Sequence, residues 1–172
     1  MEIKMNMNKK GITLIGMPGA GKSTVGKLLA KKIGYDFLDL DILIKEKEGR
    51  GHAEIVKEKG DAELMRLEEL HTLGLDLNKT VFSPGGSIVY SVAAMEKLRA
   101  ETKIIYLELP LSEIKRRLGK SANDRGIVGL AEKGLDGLYG ERAPLYEKFA
   151  HHTINCRQIP SVEVAEKINA FL

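Results

Sequence analysis

One cysteine in 172 residues rules out an internal disulfide, and Cys156, inside the stretch TINCR, reads as a structural residue of a late strand. No apolar run approaches the roughly 20 residues needed to cross a bilayer. No secretory leader is recognisable either, so a cytoplasmic protein with no membrane partner is the default expectation. Charge of one sign is scarce too. The 27 basic and 24 acidic residues leave a formal net charge of +3, spread without a block of like charge, which argues against nucleic acid or a membrane surface as partner. Histidines number four, and His52, His71, His151 and His152 show no usable metal-ligand spacing; in a strand the adjacent pair would point to opposite faces. There is no internal repeat and no low-complexity tract. What is present, 43% apolar and 30% charged residues, is the composition of a soluble globular protein. Residues 1–172 are long enough for a single domain with its own core.

After a short polar leader, GITLIG is an apolar, β-branched run ending in glycine, and TVGKLLAKKIG carries helical periodicity to Gly34. Residues 11–34 therefore predict strand, loop and helix. YDFLDLD predicts a second strand, followed by a charge-rich helical region over about 42–77 that is broken near Gly49 and Gly51. TVFSPGG, KIIYLEL and HHTINC read as three further strands, separated by the helices SVAAMEKLRA and LSEIKRRLG and followed by VEVAEKINAFL. Strands alternating with helices predict an α/β fold with a parallel sheet covered on both faces. Residues 119–141 stand apart: Gly119, Gly126, Gly129, Gly134, Gly137 and Gly140 punctuate them, so a mobile lid is expected there rather than a rigid, regular element.

Between the first strand and its helix lies GMPGAGKST, Gly16 to Thr24, which satisfies G-x-x-x-x-G-K-[ST] in the strand–loop–helix context that the motif requires. Gly16, Gly19, Ala20 and Gly21 shape a loop whose backbone N–H groups turn inward around a β-phosphate. The helix start adds a favourable dipole, Lys22 a point positive charge, and Ser23, followed by Thr24, a hydroxyl for Mg²⁺. A nucleoside triphosphate is the expected ligand. The guanine-reading N-K-x-D is missing, since Asn78-Lys79 runs on into Thr80 and Val81. A chain of this length has room for one nucleotide, one small second substrate and a lid, which suits a small-molecule kinase better than a motor.

FLDLD ends the predicted second strand, so Asp39 and Asp41 should share a side and reach the carboxyl edge of the sheet, where open α/β sheets bind ligands. One carboxylate there can hold Mg²⁺ through water while the other takes the proton of an attacking hydroxyl; capping of the next helix is the alternative. Taken in order, GMPGAGKSTVGKLLA, FLDLD, PGGS, Arg125 in the glycine-rich segment and ERAPLYEKFA resemble the shikimate kinase family over nearly the whole chain. The resemblance implies a three-layer P-loop NTPase fold of the nucleoside-monophosphate-kinase-like type. That fold has a five-stranded parallel sheet, a substrate-binding helical region over about 42–77 and a lid over about 119–141. It also implies transfer of the γ-phosphate of ATP to the 3-hydroxyl of shikimate with Mg²⁺, by a monomer. By position, Lys22 and Ser23 match the phosphate and magnesium residues, Asp39 the water-mediated magnesium ligand and Asp41 the aspartate at the substrate hydroxyls. Arg125 matches the lid arginine that reaches the transferring phosphate, and Arg142 the clamp on the substrate carboxylate. Gly85 and Gly86 match the turn beside the substrate, and Arg117 with Pro160 the groups that sandwich adenine.

Three departures from the family pattern fall on the acceptor side. Met65 stands where an arginine joins in gripping the shikimate carboxylate, and Glu68, which would pair with that arginine, has lost its partner. Pro84 replaces the first of three glycines, fixing φ and removing a backbone donor, and Arg125–Gly126–Ile127–Val128 replaces R-P-L-L. Losing one of two charged partners to a carboxylate costs roughly 1.5–3 kcal/mol unless something compensates. Two readings of Glu68 remain open. It pairs with Arg66 or a lysine while Met65 fills space, or it faces the ammonium group of a hydroxy amino acid such as homoserine. Met65 and Glu68, three apart, share a side expected to face the acceptor, while Leu64, Leu67 and Leu70 face the core. A catalytically silent, nucleotide-binding regulator is the competing class.

Overall fold

The computed structural model describes residues 11–172; the polar leader lies outside the described residues. Every residue of β1 (Gly11–Ile15) is buried, as an apolar strand covered on both faces must be. It is followed by α1 (Lys22–Ile33), β2 (Asp36–Asp39) and three short helices, α2 (Leu40–Glu48), α3 (His52–Lys59) and α4 (Asp61–Leu73). β3 (Thr80–Ser83) runs into a 3₁₀ turn (Gly86–Tyr90) and α5 (Val92–Glu101). β4 (Thr102–Glu108) and α6 (Leu111–Leu118) precede a second 3₁₀ turn (Gly119–Asp124) and α7 (Leu130–Phe149), and β5 (His152–Asn155) leads to α8 (Ser161–Asn169).

The five strands pair in parallel in the order β2-β3-β1-β4-β5. Crossovers between parallel strands are right-handed, so the step from β1 towards β2 puts α1 on one face. The later steps run the opposite way across the sheet and put α2–α4, α5 and α6–α7 on the other. α8 then packs beside α1, completing three layers. Thr13 of β1 and Thr102 of β4 share a buried 2.8 Å hydrogen bond between central strands, and the outer strands β2 and β5 keep exposed residues. Among the described residues no helix is long and apolar enough to cross a membrane.

The structure corrects three expectations. β2 stops at Asp39, whose Oδ1 accepts from the backbone N–H groups of Asp41 (2.9 Å) and Ile42 (3.4 Å); Asp41 therefore lies in the first turn of α2 instead of sharing a strand face with Asp39. The helical region starts at Leu40, ends at Leu73 and also breaks at Gly60. Regular helix occupies the second half of the glycine-rich segment, because α7 begins after Gly129 and runs through Gly137 and Gly140, with a kink at Gly134 (φ 64°, ψ 175°). A helical glycine costs about 1 kcal/mol, which tertiary packing of Leu138, Arg142 and Tyr146, all buried, outweighs. Cys156 sits one residue past β5, still tied to the sheet by a 2.9 Å bond from its N–H to the Glu108 carbonyl. Burial pushes its thiol up to about 11, away from nucleophilic reactivity.

Candidate active site

The loop after β1, Asp39 at the end of β2 and Pro84–Gly86 after β3 arrive together at the carboxyl edge of the sheet and floor a cavity of about 520 Å³. Gly16, Gly19 and Gly21 have positive φ (152°, 83° and 93°), where L side chains are strained. Space is short as well, since a Cβ on Gly16 would lie 2.8 Å from the Leu107 carbonyl oxygen. Lys22, the first residue of α1, is 9% exposed. Its Nζ donates to the carbonyls of Gly16 (2.8 Å) and Met17 (2.9 Å). Burial pushes its ammonium down to about 8, a shift that Asp41 opposes and Arg142 reinforces. Ser23 Oγ donates to Asp39 Oδ2, so the two residues expected to serve magnesium are in direct contact. Gly19, Gly21, Lys22, Ser23 and Thr24 line the cavity, whereas Gly16 and Ala20 do not. Arg117 joins them, with Nη1 donating to the Gly19 carbonyl (3.3 Å) and Nε to Glu113 (3.1 Å). Pro160 is off the wall, and its neighbour Ser161 is on it.

Asp41 lines the same cavity. Its side chain is 58% exposed, yet it is hemmed in by the cleft wall. Desolvation raises its carboxyl above the ordinary value, His52 opposes and Asp39 adds to the rise; with that exposure, water screens the effect. Glu68, 2% exposed, accepts a 2.5 Å hydrogen bond from Ser87 Oγ. Gly85 makes room for it, since a Cβ there would lie 2.4 Å from Glu68 Oε1. Burial pushes the Glu68 carboxyl up to about 7, against the pull of the Ser87 bond. No pairing with Arg66 forms: that guanidinium turns outward and grips Glu63 through Nε and Nη2, each at 2.9 Å.

Two expectations for α4 fail. Met65 is half-buried against the core and does not line the cavity, and Leu70 is 53% exposed. At about 100° per residue, a stripe of period three drifts around the helix. Leu64 and Leu67 are buried, but by Leu70 the stripe has rotated into solvent, and Glu68, four residues after Leu64, takes the inward position instead.

Arg142 reaches the cavity from α7 and is 1% exposed. Its Nη2 donates to the Val128 carbonyl (2.7 Å) and its Nε to Tyr90 Oη (3.2 Å), with the guanidinium 5.2 Å from the Tyr90 ring centroid. A Cβ on Gly86 would come within 3.0 Å of its Nη1. The cavity is closed by Arg125–Val128. Gly126, at φ 62°, packs on the start of α3 so tightly that a Cβ would lie 2.4 Å from Ala53 N and 2.5 Å from the His52 carbonyl carbon. The Gly129 N–H donates to Asp61 Oδ2 on α4 (2.8 Å). Sequence reasoning missed His52, Ser83 and Ser87 on the wall; Ser87 at least follows the Gly-Gly turn directly, whereas nothing local marks His52.

A phosphate cradle opening into a recess with carboxylates and a buried arginine is the arrangement of a small-molecule kinase on a nucleoside-monophosphate-kinase-like P-loop fold. The shikimate kinase family model matches residues 18–172, and the chain belongs to the shikimate kinase family. The shikimate kinase of Mycobacterium avium is 41% identical over 140 residues, covering 80% of this chain and 78% of that protein. That of Thermodesulfovibrio yellowstonii is 35% identical over 161 residues, 92% of each. Among solved structures, the shikimate kinase from Acinetobacter baumannii in complex with shikimate superposes with a TM-score of 0.87 at 30% identity, covering 96% of this chain and 93% of that one.

Proposed function

We propose that the protein transfers the γ-phosphate of ATP to the 3-hydroxyl of shikimate, acting as a cytoplasmic monomer. The observation that carries this is that one cavity brings Lys22 and Ser23 together with Asp41 and Arg142. Triphosphate enters against the loop, where Lys22 exchanges its two carbonyl partners for phosphate oxygens. The acceptor lies between Asp41 and Arg142: the planar guanidinium takes the carboxylate, and Asp41 accepts the proton as the hydroxyl attacks the γ-phosphorus. Arg125 brings a cation to the transferring phosphoryl group, whose charge is spread over its oxygens.

The contact between Ser23 and Asp39 fits Mg²⁺: it offers one hydroxyl and one carboxylate, hard oxygen donors in the small number that this ion takes from protein alongside water and phosphate. Bound there, Mg²⁺ would neutralise phosphate charge.

A coupled ADP-release assay over shikimate, gluconate and homoserine tests the reading. Shikimate should stimulate release most, and Asp41→Asn should lower kcat by about 10²–10⁴-fold. Tight nucleotide binding with no acceptor-stimulated release would indicate the silent regulator instead. One observation favours a second acceptor class. Glu68 is buried with Ser87 as its hydrogen-bond partner while Arg66 is turned away, which suits an ammonium group and hence a hydroxy amino acid. On that reading homoserine turns over faster than shikimate and Glu68→Gln selectively raises its KM.

A further inference from the structure

Among the polar groups of the cavity wall that the proposed chemistry leaves unused, His52 has an unsatisfied atom. His52 opens α3, its side chain is 11% exposed, and its Nε2 is buried without a hydrogen-bond partner. That nitrogen lies 3.5 Å from Asp41 Oδ1, too far for a good direct bond. Buried polar atoms are almost always satisfied, and a rare orphan calls for a specific partner. The backbone that carries the imidazole is closely covered, because Gly126 packs directly on the His52 and Ala53 main chain from the closing segment.

We propose that His52 binds the acceptor: with the proton on Nε2, it donates to the oxygen of an acceptor hydroxyl whose own hydrogen points to Asp41 Oδ1. An oxygen about 2.8 Å from each atom sits over the 3.5 Å edge between them and satisfies both. The imidazole N–H supplies what Asp41 lacks, since a carboxylate only accepts. The pair therefore recognises a hydroxyl through both its oxygen and its hydrogen, and discriminates against acceptors that lack it. Such sites reject the missing hydroxyl strongly, because the protein groups are then left unpaired. Asp39, Lys22 and Arg125 all act electrostatically on Asp41, so the imidazole adds a directional N–H donor to a charged cluster.

This inference rests on the kinase reading above, and the experiment separates the two. Wild type, His52→Leu and His52→Gln are titrated with shikimate and with shikimates lacking one hydroxyl each, recording kcat, both KM values, nucleotide and acceptor affinity by calorimetry and the melting temperature. Loss of the donor should raise the acceptor KM by tenfold or more while nucleotide affinity stays within about twofold, and Gln, which keeps an N–H at a similar reach, should restore part of it. One deoxy acceptor should bind wild type as weakly as the full acceptor binds the Leu variant, with no further loss when the two changes are combined. Two folded variants with unchanged acceptor KM overturn the assignment, as does equal loss on every deoxy acceptor. Wild type that is inactive with shikimate but active with another alcohol from the panel refutes the acceptor identity alone; the same variants titrated with that alcohol then decide the role of His52.

Discussion

Glu68 sits where ionisation is costly. Its pKa near 7, against about 4.5 for a free carboxyl, means that the folded protein prefers the protonated form. The corresponding stability is fully present below about pH 4.5 and is lost as pH rises through 7. A shift of this size corresponds to roughly 3 kcal/mol between the two protonation states. Glu68→Gln mimics the neutral form, so it should melt higher than wild type at pH 8 and lose that advantage by pH 5; thermal melts across that range check it. A difference independent of pH would show that desolvation is not what limits Glu68. None of this was visible from residue type, because the same glutamate on the outer face of α4 would be ordinary surface. The positions of Lys22 and Ser23 were readable for the opposite reason: a local loop, one contiguous stretch of chain, places them.

The segment between α6 and α7 works through its two attachments. Gly126 needs both a left-handed φ and an empty β-position against α3, and Gly129 needs its bond to Asp61. Gly126→Ala should hinder docking twice over, since left-handed φ alone costs an L residue about 1–2 kcal/mol. We expect kcat/KM for the acceptor to fall at least tenfold, with nucleotide affinity within about threefold. Asp61→Ala removes only one bond and should produce a smaller fall; steady-state kinetics on both variants ranks them. Element identities were largely legible because β1, β3 and β4 are buried runs between periodic helices. Helix α7 was not, since its glycines argue for a loop locally while the packing of Leu138 and Tyr146 that overrides them is tertiary.

At the scale of the molecule, the strand order lets β1, β2 and β3, remote in sequence, end side by side. That order is a matter of crossovers, which composition and periodicity do not specify, and the same is true of the approach of His52 to Asp41 across the turn between α2 and α3. The phosphate and acceptor ends share one cavity, so ligands should couple through the whole fold. At a hundredfold excess over its Kd, a ligand stabilises by about 2.7 kcal/mol, which for a chain of this size raises Tm by roughly 5–10 °C. Non-hydrolysable nucleotide and acceptor together should shift Tm by more than the sum of their separate shifts; a strictly additive result in scanning fluorimetry would mean that the two ends are independent.

The tethers at Gly126 and Gly129 both lie on helices of the acceptor side, and none of the bonds that hold them involves the phosphate loop. On the proposed role of Arg125, the cation would be delivered to the nucleotide by the half of the protein that reads the other substrate. An enzyme wired this way would protect its ATP from water: with the cation in position only when the alcohol side is ordered, idle hydrolysis would stay low between turnovers.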